Sequence, residues 1–170
     1  MSGGAPDAGI FRDVFRAAAA AGLGRRVHAG EGAGPRSVRD CLQDLRPRRL
    51  AHGVRAVEDP ELLATLSRQR VALDVCPTSN LRLGVVPALE QHPIRALVAA
   101  GVPVTVSSDD PLPFQTNLSK ELGLLHDRLG FTLPALRELT LHAARHSFLP
   151  EAERAALAAV VRAGWPAGEV

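Results

Sequence analysis

Four short runs of apolar, β-favouring residues mark the chain: Arg26 to Ala29, Arg49 to His52, Val71 to Cys76 and Val102 to Ser107. Each leads into a polar or Gly/Pro-containing turn, which predicts four strands. Helical spacing fills the gaps, over Arg36 to Leu45, Pro60 to Gln69 with Leu62, Leu63 and Leu66 on one face, and His92 to Ala100. Asp59-Pro60 has the form of a cap with proline in the first turn, and Ala100-Gly101 that of a helix end. A helix from Phe11 to Ala21 is expected before the first strand. After the last strand the pattern is helical, over Leu118 to Leu129, Pro134 to Phe148 and Pro150 to Arg162, while Trp165 lies in a Gly/Pro tail with no predicted element.

Strand, loop and helix recur at a regular interval: 24 residues separate His28 from His52, 24 more lead to Cys76, and 32 to Ser108. This is the cadence of parallel βα units, whose strands are buried on both faces and therefore look continuously apolar. A chain of 170 residues is one domain by length and long enough to bury a core. The Gly-rich phosphate loop of a doubly wound nucleotide binder is absent.

Composition narrows the function classes. Twenty basic residues against 18 acidic ones give a net charge of +2, spread without a basic block or interleaved aromatics, which argues against a nucleic-acid partner. Cys41 and Cys76 lie 35 residues apart with no C-x-x-C, so neither a disulfide scaffold nor a structural zinc cluster is expected. No signal-peptide pattern opens the chain and no run of about 18 apolar residues occurs, so a cytoplasmic protein with no membrane partner is expected.

In parallel α/β folds chemistry collects at the carboxyl ends of strands, and the unusual polar residues fall there. His28 and Glu31 follow the first strand, His52-Gly53 the second, Cys76 to Asn80 the third, and Ser108-Asp109-Asp110-Pro111 the fourth. Each has an ordinary explanation taken singly. His28 could be a hydrogen-bonded structural residue, Glu31 a solvated loop carboxylate, His52 the close of a turn, Ser79-Asn80 turn chemistry, and Asp109-Asp110 a cap before Pro111. Two histidines and three carboxylates at successive strand ends are also the ligand, acid and base types of a catalytic zinc site, and the joint pattern favours that reading.

Four stretches then resemble, in order and spacing, the second half of the adenosine deaminase family of metal-dependent aminohydrolases: VHAGEGAGP, RLAHGVRAVEDPELL, VCPTSNLRLGVVPALEQHP and VPVTVSSDDPLPF. The resemblance runs from about Asp7 to Glu153. It implies an α/β fold of the (β/α)8 TIM-barrel type, of which this chain would carry strands five to eight as a half barrel with C-terminal helices, residues 1–170 forming the C-terminal half of the hydrolase domain. It implies a zinc ion held by His28 and Asp109, with two further histidines expected from an H-x-H on strand one. His52 would sit beside the attacking water, Glu31 would give a proton to N1 of the purine, and Asp110 would hydrogen-bond N7. Adjacent Asp109 and Asp110 would repel one another unless a metal neutralises one and the substrate shares a proton with the other.

The chain departs from the family in several places. It contains no H-x-H, and of the three protein ligands a catalytic zinc normally has, the resemblance supplies two. GGAPDAGIF, Gly3 to Phe11, replaces the L-A-G-D-E-type segment of adenosine users, so the glycine that contacts the purine is not carried over. Ala51 stands where glycine is common, and Gln115 and Leu122 replace the usual Gly and Tyr. His142 and His146, spaced i, i+4, are expected in a surface or capping role. Half a barrel leaves exposed edges and an apolar concave face, so a complementary chain or a homo-oligomer is an expected partner. The start Met1-Ser2-Gly3-Gly4, near a loop between strand and helix, suggests a truncated chain. The expected activity is hydrolytic deamination of a purine nucleoside, adenosine to inosine and ammonia, with adenine or aminofutalosine as related substrates. A non-catalytic half barrel that pairs with another chain, keeping its site residues as inheritance, is the alternative from a different class.

Overall fold

The computed structural model describes residues 7–166. Along them run α1 (Arg12–Ala20), β1 (Arg26–Ala29), α2 (Pro35–Asp44), β2 (Arg49–His52), α3 (Pro60–Gln69), β3 (Ala72–Val75), α4 (Pro77–Arg82), α5 (Ile94–Ala99), β4 (Val104–Val106), α6 (Pro111–Phe114), α7 (Leu118–Leu129), α8 (Leu133–Arg145) and α9 (Glu151–Gly164), with short 3-10 segments at Ala8–Phe11, Val54–Glu58 and Leu89–Gln91. The four strands form one parallel sheet ordered β1-β2-β3-β4, the α/β arrangement expected of strands five to eight of a (β/α)8 barrel. Arg26 pairs with Arg49 and Ala29 with His52, and Arg49 in turn pairs with Ala72.

The chain divides into two compact units, one reaching to Asp74 and taking in Pro93–Pro103, the other made of Val75–His92 and the chain from Val104 onward. In the first unit α3 shows how the sequence makes an element. The Asp59 side chain accepts from the Leu62 amide, Pro60 occupies the first turn where its missing N–H costs nothing, and Arg70 ends the helix in a left-handed conformation. Leu62 and Leu66 face inward and are buried, each worth about 2 kcal/mol of apolar transfer. Val71 is drawn out of β3 because its amide bonds Leu66 O, and Val102 out of β4 because its amide bonds Leu97 O.

β3 is buried along its whole length yet carries Asp74, 2% exposed. Its carboxylate is matched by two guanidinium groups from the starts of the neighbouring strands: Arg26 Nε donates to Oδ2 at 2.6 Å and Arg49 Nη2 to Oδ1 at 2.6 Å. A carboxylate this deep is tolerable only with such partners.

In the second unit Leu141 and Ala144 of α8 pack with Ala158 of α9, with Val161 against them. The Asn117 and Thr132 side chains cap α7 and α8 by accepting from Lys120 N and Ala135 N. Ser79-Asn80, for which turn chemistry is the ordinary reading, instead lie in α4, with Pro77 in its first turn and both residues fully buried. Exposed apolar side chains are numerous in the first unit, among them Ile10, Phe11, Val14 and Leu23, and no residue of α1 is buried. Among the described residues no helix is long and apolar enough to cross a membrane.

Candidate catalytic site

The ends of β1 and β2 approach closely because both are followed by glycine. Gly30 and Gly53 have φ of 66° and 68°; a Cβ on Gly30 would lie 2.6 Å from Val38 Cγ2 and 3.1 Å from Gly53 Cα, and one on Gly53 would lie 2.6 Å from Leu73 Cδ2. Left-handed backbone without a Cβ is what glycine alone supplies freely. The loop after Gly30 is then tied down: the Gly30 amide donates to Ser37 Oγ at 3.0 Å, Ser37 Oγ donates to Gly34 O at 2.8 Å, and the Arg55 amide bonds Gly30 O at 3.0 Å.

This arrangement brings three of the expected residues together in the first unit. His28 and His52 stand with ring centroids 5.3 Å apart and planes tilted by 44°. His52 is 1% exposed and itself left-handed, with φ of 64°, a conformation that costs a β-carbon-bearing residue free energy and persists where the surroundings hold it. Glu31 points back over it, Oε1 lying 3.5 Å from His52 Nε2, and that oxygen is enclosed without a hydrogen-bond donor. His28 is exposed. A cavity of about 840 Å³ in the same unit is lined by His28 with Val27, Phe11, Ser37 and Cys41, a size that suits a small organic molecule.

Asp109 and Asp110 lie in the second unit. Asp109 is half-buried and left-handed, φ 57°, and its Oδ2 accepts from Ser79 Oγ at 2.7 Å. Ser79 is fully buried, so its hydroxyl has little choice of direction. Asp110 stands at the cap of α6 but its exposed side chain makes no capping bond, which leaves the carboxylate available for a ligand. Sequence reading treated Ser79 as turn chemistry; the available signal was Pro77, a first-turn proline that announces a helix.

The remaining histidines have structural roles. His142 is half-buried rather than on the surface: its Nδ1 bonds Val104 O at 3.1 Å and so must carry the proton, tying α8 to β4, while His146 stands at the C-terminal end of α8 with its ring edge-on to His142, centroids 6.1 Å apart. His126 Nδ1 likewise donates to Phe131 O at 2.7 Å. His92 is buried, with Nε2 3.2 Å from Asn80 Oδ1, and burial lowers its pKa to about 4. Cys41 and Cys76 are buried thiols outside any disulfide among the described residues.

The donor types fit a borderline-soft cation such as zinc. His28 offers an imidazole at a strand end and Asp109 a carboxylate already oriented by a hydroxyl, the outer-partner arrangement that metal-ligating carboxylates show.

Comparison with known proteins agrees in family and fold. The family model described as adenosine deaminase matches residues 3–163. The aminodeoxyfutalosine deaminase of Streptomyces coelicolor is 42% identical over 159 residues, which are 91% of this chain and 41% of that protein. The crystal structure of adenine deaminase from Arthrobacter aurescens superposes with a TM-score of 0.87 at 35% identity, covering 92% of this chain and 48% of the other. An amidohydrolase from Burkholderia ambifaria with bound zinc superposes at 0.80 and 29% identity, covering 92% and 43%. The chain thus spans somewhat under half the length of these relatives.

Proposed function

Because the chain belongs to the adenosine deaminase family, we propose that it carries the C-terminal part, residues 1–170, of a zinc-dependent aminohydrolase that converts the amino group of an aminopurine to a carbonyl with release of ammonia. Zinc, when bound, supplies a water that is nucleophilic near neutral pH. His28 and Asp109 hold the ion, and the remaining histidine ligands come from polypeptide beyond this stretch or from a complementary chain.

The observation that carries the reading is the pairing of Glu31 with His52. An enclosed carboxylate oxygen 3.5 Å from a buried imidazole is a proton-handling pair, and the oxygen's lack of a donor is the form expected of a group that meets substrate rather than structure. His52 takes a proton from the attacking water and returns it to the leaving amino group, while Glu31 delivers one to ring nitrogen N1 and recovers one from the new C6 hydroxyl, so that C6 becomes a carbonyl carbon and ammonia leaves. Asp110, free of any capping duty, accepts or shares a proton at N7. The reaction consumes one water and yields one ammonia, and no other co-reactant is needed.

For the substrate, the named deaminases among the relatives point to adenine or aminodeoxyfutalosine. The replacement of the adenosine-type segment by Gly3 to Phe11 points the same way, and adenosine remains the comparison substrate. The test is ammonia release from adenine, adenosine and aminodeoxyfutalosine by the zinc-supplemented protein, with His28→Ala as control. Release from one of the three that disappears in the control supports the reading; release from none by a zinc-loaded protein that also holds the remaining histidine ligands contradicts it and leaves the non-catalytic half barrel.

A further inference from the structure

Glu121 is the most deeply buried carboxylate of the second unit, 0% exposed, on the first turn of α7. Its partners among the described residues are two neutral donors and no cation. The Thr78 amide donates to Oε2 at 3.1 Å, and the Thr116 hydroxyl donates to Oε1 at 2.5 Å. A carboxyl group placed in a core with only two hydrogen bonds costs stability relative to an apolar residue of similar volume, so packing alone does not explain it.

What the two bonds hold is informative. Thr78 lies in the first turn of α4, whose amides have no partner within the helix, and Cys76 at the cap makes no side-chain capping bond to them. Glu121 therefore caps α4 from a distant element, and the next residue along is Ser79, whose hydroxyl holds Asp109 Oδ2. Thr116 closes the segment that begins at Asp109 and runs through α6, its own amide bonded to Pro111 O at 3.2 Å. One carboxylate thus fixes both segments that meet in the Ser79–Asp109 hydrogen bond. Asp109 is left-handed and lies in a short loop, so its side-chain direction depends on what holds the loop.

We infer that Glu121 is a positioning residue for Asp109: by clamping the first turn of α4 and the Thr116 loop, it sets the Ser79 hydroxyl that orients the metal-binding carboxylate. The inference rests on the proposal that Asp109 binds zinc and adds to it a residue that touches neither metal nor substrate. Outer partners of metal ligands typically contribute 10- to 100-fold in affinity.

Glu121→Leu keeps most of the volume but accepts from neither donor; Gln would not serve, because its oxygen can accept from the Thr78 amide while its NH2 donates to the Thr116 hydroxyl. The experiment is zinc affinity, by competition with a chromophoric chelator, of the chain together with the polypeptide that supplies the remaining histidine ligands, for wild type, Asp109→Asn, Ser79→Ala, Glu121→Leu and the Ser79/Glu121 double variant, with circular dichroism confirming each fold. The expected result is loss of zinc in Asp109→Asn, at least a 10-fold weakening in Ser79→Ala and in Glu121→Leu, and little further loss in the double variant, because both act through one path. Wild-type affinity in a folded Glu121→Leu, or full additivity with Ser79→Ala, would overturn it. A wild-type protein that takes up no zinc would overturn the underlying metal proposal instead. Amide exchange then decides the clamp: faster exchange at Ser79–Asn80 and Ser107–Asp110 together in Glu121→Leu supports it, and unchanged exchange at both overturns it.

Discussion

At the scale of single residues, the polar side chains divide by whether their hydrogen bonds are satisfied within the fold. His92 is of the structural kind: buried, with Nε2 against Asn80 Oδ1, and held neutral with a pKa lowered from 6.5 to about 4 by burial. The unfolded chain protonates His92 as pH falls through about 6.5, whereas the folded chain does so only near 4. The contribution is therefore nil above 6.5 and grows more destabilising as pH falls toward 4, reaching on the order of 3 kcal/mol. Urea midpoints at pH 7.5 and 5.0 should diverge for wild type and lie closer together for His92→Gln; equal divergence in both would exclude His92 as the source. Glu31 is of the other kind, with an enclosed oxygen that accepts no hydrogen bond among the described residues.

At the scale of elements, the parallel strands depend on how their few charged residues are matched. Asp74 receives Arg26 from β1 and Arg49 from β2, so one carboxylate joins three adjacent strands. Removing it leaves two arginines facing each other on paired strands. Asp74→Ala is expected to lower unfolding free energy by about 3 kcal/mol, the usual result of breaking a buried ion pair from one side, while Arg26→Ala, which leaves Arg49 in place and starts from a half-exposed side chain, costs much less. Chemical denaturation of the two variants checks the order, and a reversed order would show that the cluster is not held by Asp74.

Much of this level was legible in the sequence. β1, β2, α3 and α7 begin and end where apolar runs, Asp59-Pro60 and the glycine at 130 put them, because each is bounded by local chemistry. Asp74 was not legible, since an acid inside an apolar run gives no hint of which arginines the register will bring to it. Ser79 and Glu121 were missed for a related reason. Asp109 lies 30 residues from Ser79, and Thr78 lies 43 residues from Glu121, so neither periodicity nor turn propensity registers these bonds. The site motifs at His28, Glu31, His52, Asp109 and Asp110 were visible because they fall at strand ends, but their local geometry was not. The closeness of Glu31 to His52 depends on Gly30 and Gly53 allowing two loops to touch.

At the scale of the whole molecule, the chain spans somewhat under half the length of its relatives and carries apolar side chains such as Ile10 and Val14 two-thirds exposed on its first unit. The central claim is that His28 and Asp109 nevertheless make this stretch a zinc-holding part of an aminopurine deaminase. Isothermal titration with zinc, of the chain joined by the polypeptide that supplies the remaining histidine ligands, tests it most directly. One zinc per complete site is expected, lost in His28→Ala and in Asp109→Ala and retained in Glu31→Gln; no uptake, or uptake that neither ligand substitution changes, would contradict it.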